Sequence, residues 1–149
     1  MDKIDVHCHI MYGIDDGSKS LEESIKIIKQ HVEMGFKDII LTPHYIENSR
    51  YKTNNKEKLE IINNLKKEVK NIDVNLYLGN EVFINNNLIE LLESDEIYSL
   101  NNSKYLLIEL PMSTEIKNIK DIIFELKIKG IIPVIAHPER YELVQKNID

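Results

Sequence analysis

The residues of this chain with most chemical potential stand at the ends of short apolar runs. The first run closes on Asp5-Val6-His7-Cys8-His9. Side chains at i and i+2 share one face of a strand, so His7 and His9 can point at a common ion while Val6 and Cys8 face covering helices. A second run leads into Thr42-Pro43-His44 and a third into Gly79-Asn80-Glu81. A fourth, Tyr105 to Ile108, ends in Glu109, and a fifth, Ile131 to Ala136, delivers His137 and then Pro138-Glu139-Arg140. Each of these residues alone reads as an ordinary polar strand end. Together, at matching positions of successive runs, they read as a metal centre, and mixed imidazole and carboxylate ligation favours Mn, Fe or Zn over Mg.

Other reactive residues read differently. His7-Cys8 opens like a cysteine-phosphatase loop, but the position six residues after the cysteine, where the phosphate-cradling Arg belongs, is Ile14. Cys8 is therefore read as a small packing residue. His31, mid-helix and outside the pattern, is read as surface or helix packing. Asp5 is placed either to orient a ligating His from behind or to cap.

The elements that must position these residues are legible from periodicity. Strands are expected over Lys3 to His9, Asp38 to Leu41, Val74 to Leu78, Tyr105 to Leu110 and Ile131 to Ala136, apolar throughout as buried parallel strands are. Ser20 and Glu23 form a capping-box pattern, followed by a stripe through Leu21, Ile25, Ile28 and Val32 and by Gly35 as C-cap. A second helix is expected from about Lys56 to Lys70 with Leu59, Ile62, Leu65 and Val69 inward, and a short one over Leu88 to Leu92. The last, Ile116 to Lys129, buries Ile119, Ile122, Ile123 and Leu126 and stops at Gly130. Such β-α alternation implies a parallel sheet with right-handed crossovers. A doubly wound sheet and a (β/α) barrel both satisfy it. Ligand-type residues at every strand end select the barrel, where those ends converge on one face.

With 149 residues the chain is long enough for one domain and hardly for two. No apolar run approaches the ~20 residues of a membrane-spanning helix. The N-terminus lacks the layout of a secretory signal, and a single Cys makes no internal disulfide. A cytoplasmic protein is expected. The net charge of −6 argues against a nucleic-acid binder, which carries a basic face.

The segments His7-Cys8-His9-Ile10, Gly13-Ile14-Asp15-Asp16-Gly17, Thr42-Pro43-His44-Tyr45, Gly79-Asn80-Glu81 and Ala136-His137-Pro138-Glu139-Arg140 resemble the motifs of the PHP (polymerase and histidinol phosphatase) superfamily. More narrowly they resemble its manganese-dependent bacterial protein-tyrosine phosphatases of capsule and exopolysaccharide loci. The order matches from residue 4 to about 143. The resemblance implies a partial PHP-type (β/α) barrel, distorted and TIM-like, with about five β/α units in one domain over residues 1–149. Members of that family continue with further strands, and a complete barrel takes ~250 residues, so the C-terminal strands are expected to be missing.

The resemblance further implies that His7, His9, Asp16, His44, Glu81, Glu109 and His137 hold two or three Mn2+ ions, with Fe or Zn as alternatives. Asp16 and Arg140 are the implied catalytic residues, Arg140 forking onto two phosphate oxygens, against a bland reading of Arg140 as a surface salt bridge with Glu139 or Glu142. Asp15 supports a ligand or forms a turn with Gly17. The implied reaction is metal-assisted attack of water on phosphorus. The implied substrate is phosphotyrosine on a protein, most naturally a bacterial tyrosine kinase controlling polysaccharide export. A small phosphate monoester such as histidinol phosphate, or a truncated metal-binding module without turnover, are the alternatives. Nucleic acid and membrane insertion are not expected, and a homo-oligomer is left open.

Overall fold

A computed structural model describes residues 3–114 and 116–146. Among them run seven strands: β1 Lys3–Cys8, β2 Phe36–Leu41, β3 His44–Tyr45, β4 Asn75–Leu78, β5 Glu81–Phe83, β6 Tyr105–Glu109 and β7 Ile132–Ile135. The helices are α1 Leu21–Glu33, α2 Asn55–Glu68, α3 Leu88–Glu93, α4 Ile119–Ile128 and α5 Glu142–Lys146. The strands pair in parallel as β1-β2-β4 and as β3-β5-β6-β7.

The two sheets are joined through broken strands. Pro43, which has no N–H to give a ladder, separates β2 from β3, and Gly79-Asn80 separates β4 from β5. Backbone bonds bridge the breaks: Thr42 N–H donates to Cys8 O at 3.0 Å, Gly79 N–H to Leu41 O at 2.9 Å and Glu81 N–H to Pro43 O at 3.2 Å. The strand paths therefore lie side by side in chain order, with none of the order reversal of a doubly wound sheet. Where five barrel strands were expected, two of them are split. Among the described residues β1 and β7 each pair on one side only, so the sheet does not close into a barrel.

Apolar side chains fill both faces. Cys8, Ile28, Ile39, Leu41, Ile62, Leu65 and Leu76 pack the first sheet against α1 and α2. Tyr45, Val82, Leu88, Leu106, Ile108, Ile122 and Leu126 pack the second against α3 and α4. Ile40, Leu107 and Ala136 form a smaller cluster with Leu100, since alternate strand residues point to opposite faces.

Several local expectations shift. In β1 the partners Asp5↔Ile39 and Cys8↔Leu41 leave one extra residue, a bulge. The bulge breaks strict alternation: Cys8 stays in the helix-side core, but Val6 is 44% exposed instead of facing the helices. Ser20 caps α1, accepting from Glu23 N–H at 3.2 Å, while the Glu23 carboxylate accepts from Lys19 N–H, one residue before the cap. The inward face of α1 runs through Leu21, Ser24, Ile27 and Ile28 rather than Ile25. Ser24 is invisible to an apolar stripe because its hydroxyl is satisfied by Ile10 O. On α2, Leu59 is 45% exposed, and the buried residues are Lys58, Ile61, Ile62 and Leu65. Helix α4 begins at Ile119, three residues later than expected. Gly35 at φ +89° and Gly130 at φ +78° follow α1 and α4 in the left-handed conformation that glycine tolerates.

Candidate metal centre

The end of β1 delivers His7 and His9, and a loop folds back beneath them. Ser18 N–H donates to His9 O at 3.1 Å, and Asp15 Oδ1 accepts from Gly17 N–H at 2.9 Å in an Asx turn. A β-carbon on Gly17 would meet His9 O at 2.1 Å, so the turn admits only glycine there. Its other oxygen, Asp15 Oδ2, lies 2.8 Å from His9 Nδ1 and accepts from His44 N–H at 3.1 Å. Asp15 thus both shapes the turn and holds two candidate ligands in place. Asp5 accepts from the backbone N–H of His7 at 3.1 Å and lies 2.9 Å from His31 Nε2. It steadies the His7 main chain, not its ring, and His31 is packed beneath β1.

His44 and Glu81 are register partners in β3 and β5, which sets their side chains next to each other on one face. Glu81 becomes the hub. Its Oε2 lies 3.2 Å from His7 Nε2, 3.0 Å from His9 Nε2 and 3.2 Å from His44 Nδ1, and its Oε1 lies 2.9 Å from His137 Nε2. Glu109, at the end of β6, stands 3.8 Å from His44 Nδ1 and 3.6 Å from His137 Nε2. His137 sits at φ +30°, a region a β-carbon disfavours. Tyr141 straps this corner: its hydroxyl accepts from Leu110 N–H at 3.0 Å and donates to Ala136 O at 2.8 Å.

The fold brings His7, His9, Asp16, His44, Glu81, Glu109, His137 and Arg140 around one cavity. Asp16 is peripheral, its side chain 61% exposed and 3.4 Å from His44 Nε2. Arg140 is exposed at the rim. Neither Glu139 nor Glu142 pairs with it, and Glu142 is 3.2 Å from Lys146 instead. Cys8 lies outside the cavity, buried, with its thiol on Ile40 O at 3.4 Å. Burial, before the charges of Asp5 and Asp15, pushes that thiol's pKa up, so it is no nucleophile.

The donor set fits divalent metal. Glu81 Oε2, His44 Nδ1 and His137 Nδ1 are buried without a hydrogen-bond partner, so the Oε2 contacts to His7, His9 and His44 are close without being aligned as hydrogen bonds, whereas Oε1 is hydrogen-bonded with His137 Nε2. Lone pairs that converge in this way on a shared centre are what a cation satisfies. Ligand atoms lie within 4.8 Å of one another in three groups, His7/His9/Glu81, His9/Asp16/His44 and His44/Glu81/Glu109, which share members.

Electrostatics follow from that crowding. Burial opposes ionisation of Glu81, but the His7, His9 and His44 imidazoles outweigh it and hold its carboxyl well below the usual range. Burial likewise disfavours charge on His9, yet Asp15 and Glu81 raise its pKa to about 10. Glu109 is shifted upward, by burial first and then by the charge of Glu81.

Two supports have weak or no sequence signal. Asp15-Asp16-Gly17 announces a turn without saying which Asp faces the site. Lys58 on α2, fully buried and bonded to Asn80 at 2.9 Å, reads in sequence as one more solvated lysine.

The family described as capsular polysaccharide synthesis, CpsB/CapC, matches residues 3–149. The chain is 40% identical to the putative tyrosine-protein phosphatase CapC of Staphylococcus aureus, over 98% of this chain and 58% of that protein. It is 36% identical to the tyrosine-protein phosphatase YwqE of Bacillus subtilis (strain 168), over 97% of this chain and 57% of that protein. The tyrosine-protein phosphatase CpsB of Streptococcus pneumoniae is 35% identical, over 97% and 60%. Among solved structures, one from a study of YwqE from Bacillus subtilis and CpsB from Streptococcus pneumoniae, described as unique metal-dependent tyrosine phosphatases, superposes with a TM-score of 0.91. That match has 34% identity and covers 98% of this chain and 60% of the other. The chain thus spans about three-fifths of the length of these relatives. A match across nearly every residue, on a fold that superposes this closely, means that the chain belongs to the CpsB/CapC family of capsular polysaccharide synthesis.

Proposed function

We propose that this chain carries the metal centre of a protein-tyrosine phosphatase acting in capsular or exopolysaccharide synthesis. The observation that carries the reading is the buried Glu81 carboxylate ringed by His7, His9, His44 and His137 at 2.9–3.2 Å, beside an open cavity with Arg140 at its rim. The names of its relatives support the substrate: YwqE and CpsB are named tyrosine-protein phosphatases.

His7, His9, Asp16, His44, Glu81, Glu109 and His137 would hold two or three ions, Mn2+ first and Fe or Zn as alternatives. The chemistry such ions supply is activation of water at neutral pH and charge stabilisation on phosphoryl oxygens. The chain's own residues do the rest. Asp15, bonded at His9 Nδ1, leaves Nε2 facing the cavity. Arg140 offers a planar cation to an entering phosphate. The protein partner we propose is a phosphotyrosine-bearing bacterial tyrosine kinase, met in the cytoplasm. The chain-order parallel sheet supports reading the single domain as an arc of a (β/α) barrel.

Phosphate release from a phosphotyrosyl peptide tests this, with Mn2+, with EDTA, and with a His7→Ala/His9→Ala control. Release that needs Mn2+ and disappears in the control is expected. A chain that binds Mn2+ yet releases no phosphate would sink the reading, and faster turnover of histidinol phosphate than of the peptide would replace the substrate.

A further inference from the structure

Lys58 is fully buried in α2, although a lysine ammonium strongly resists leaving water. Its two hydrogen-bond acceptors are neutral: Asn80 Oδ1 at 2.9 Å and Glu96 O at 3.4 Å, with the Tyr98 ring 5.0 Å away. Burial, uncompensated by a carboxylate, pushes its pKa down to about 7. An apolar side chain of equal length would fill the same space with less strain on stability. What such a side chain lacks is the hydrogen bond to Asn80.

Asn80 is itself fully buried and occupies the break between β4 and β5. Its Oδ1 accepts from Lys58 and from Tyr98 N–H at 2.9 Å, and its Nδ2 donates to Pro43 O at 3.0 Å. Pro43 O also accepts from Glu81 N–H at 3.2 Å. The amide of Asn80 therefore clamps the two strand breaks to each other, and the residues that follow them are His44 and Glu81. Orientation of the Asn80 amide is what assigns one end to Pro43 and the other to Lys58.

We infer that Lys58 is a positioning residue for the metal centre: by donating to Asn80 it locks the paired breaks that present His44 and Glu81. This rests on the metal-centre reading above. Groups that bond the ligands directly are worth about ten- to a hundredfold in metal affinity, and Lys58, which reaches His44 and Glu81 only through Asn80, is set at the lower end, about tenfold.

The test is Lys58→Met, which keeps the length of the stem and removes the donor. Mn2+ affinity is measured by calorimetry on the unmodified 149-residue chain and on the variant, alongside Tm without metal. The expected result is a variant as stable as the parent or more so, with affinity about tenfold weaker. Asn80→Leu cuts the same link from the other end. The double variant K58M/N80L is expected to bind no more weakly than N80L alone, because Lys58 acts through Asn80. A K58M chain that fails to fold, or loses Tm while binding Mn2+ as the parent does, shows Lys58 to be structural and overturns the inference. Equal affinity at equal stability overturns it too. No binding by the parent overturns the metal-centre reading itself and this inference with it.

Discussion

Glu81 carries a heavy electrostatic load, because a carboxylate that is 1% exposed collects four imidazoles. His9 shares that load. With Asp15 at one ring nitrogen and Glu81 near the other, its pKa rises to about 10, so the metal-free chain holds His9 protonated at pH 7. The sign follows from linkage: a raised folded pKa stabilises fully below the unfolded value near 6.5 and loses that contribution as pH climbs through about 10. Ligation demands a neutral ring, so metal binding must expel the proton. We expect calorimetry at pH 7, in two buffers of different ionisation enthalpy, to read about one proton released per binding event. Proton release should fall in an Asp15→Asn variant, whose His9 loses its strongest counter-charge. A parent chain that releases none would show His9 already neutral.

At the scale of elements, the site is made by strand ends that are interrupted rather than continued. Pro43 stops β2, Gly79-Asn80 stops β4, a bulge bends β1, and the turn at Asp15-Asp16-Gly17 folds back under His9. Gly17 is the tightest of these points, since a β-carbon added there would meet the His9 carbonyl oxygen at 2.1 Å. Gly17→Ala forces that turn away, and the Asp15 carboxylate moves with it. The expected cost is about 1–3 kcal/mol of stability, as for other overpacked sites, measured as a lowered urea midpoint. Weaker Mn2+ binding should accompany it. Gly13→Ala, at φ +69° but with nothing within 4 Å of an added β-carbon, costs about 1–2 kcal/mol through its left-handed backbone and should leave Mn2+ affinity far less changed. Equal loss of Mn2+ affinity in the two would remove the special role of the turn.

Across the whole molecule, the candidate ligands span residues 7 to 137 and come from both sheets. A cation held among His7, His9 and Glu81 ties β1 to β5, strands that make no hydrogen bond to each other. Ligand binding to the folded state alone stabilises by mass action, by about 2.7 kcal/mol at free metal a hundredfold above Kd. We therefore expect Mn2+ to raise Tm in a concentration-dependent way and EDTA to reverse it, while His7→Ala/His9→Ala leaves Tm indifferent to Mn2+. Stabilisation that persists in the double variant would place the bound ion elsewhere.

Local signals in the sequence set the order and type of most elements and the residues that could meet, but not the splitting of two strands. Periodic apolar runs, the Ser20 cap, and glycines at 35 and 130 are local signals, because hydrogen bonding and backbone torsions are local. His7, His9, His44, Glu81, Glu109 and His137 were legible for a related reason: each follows or closes an apolar run, and parallel runs put those ends on one side, although His44 and Glu81 open β3 and β5 beyond the strand breaks where strand ends were expected. The rest depends on contacts between separate segments. Whether Leu59 or Lys58 faces inward depends on what α2 packs against, not on its own pattern. Which of Asp15 and Asp16 points at His9 depends on a turn that Ser18 N–H closes on His9 O, nine positions earlier in the chain. The fully buried lysine is the clearest case, for its reason to be inside lies at Asn80, 22 residues away, and no spacing rule along α2 reaches that far.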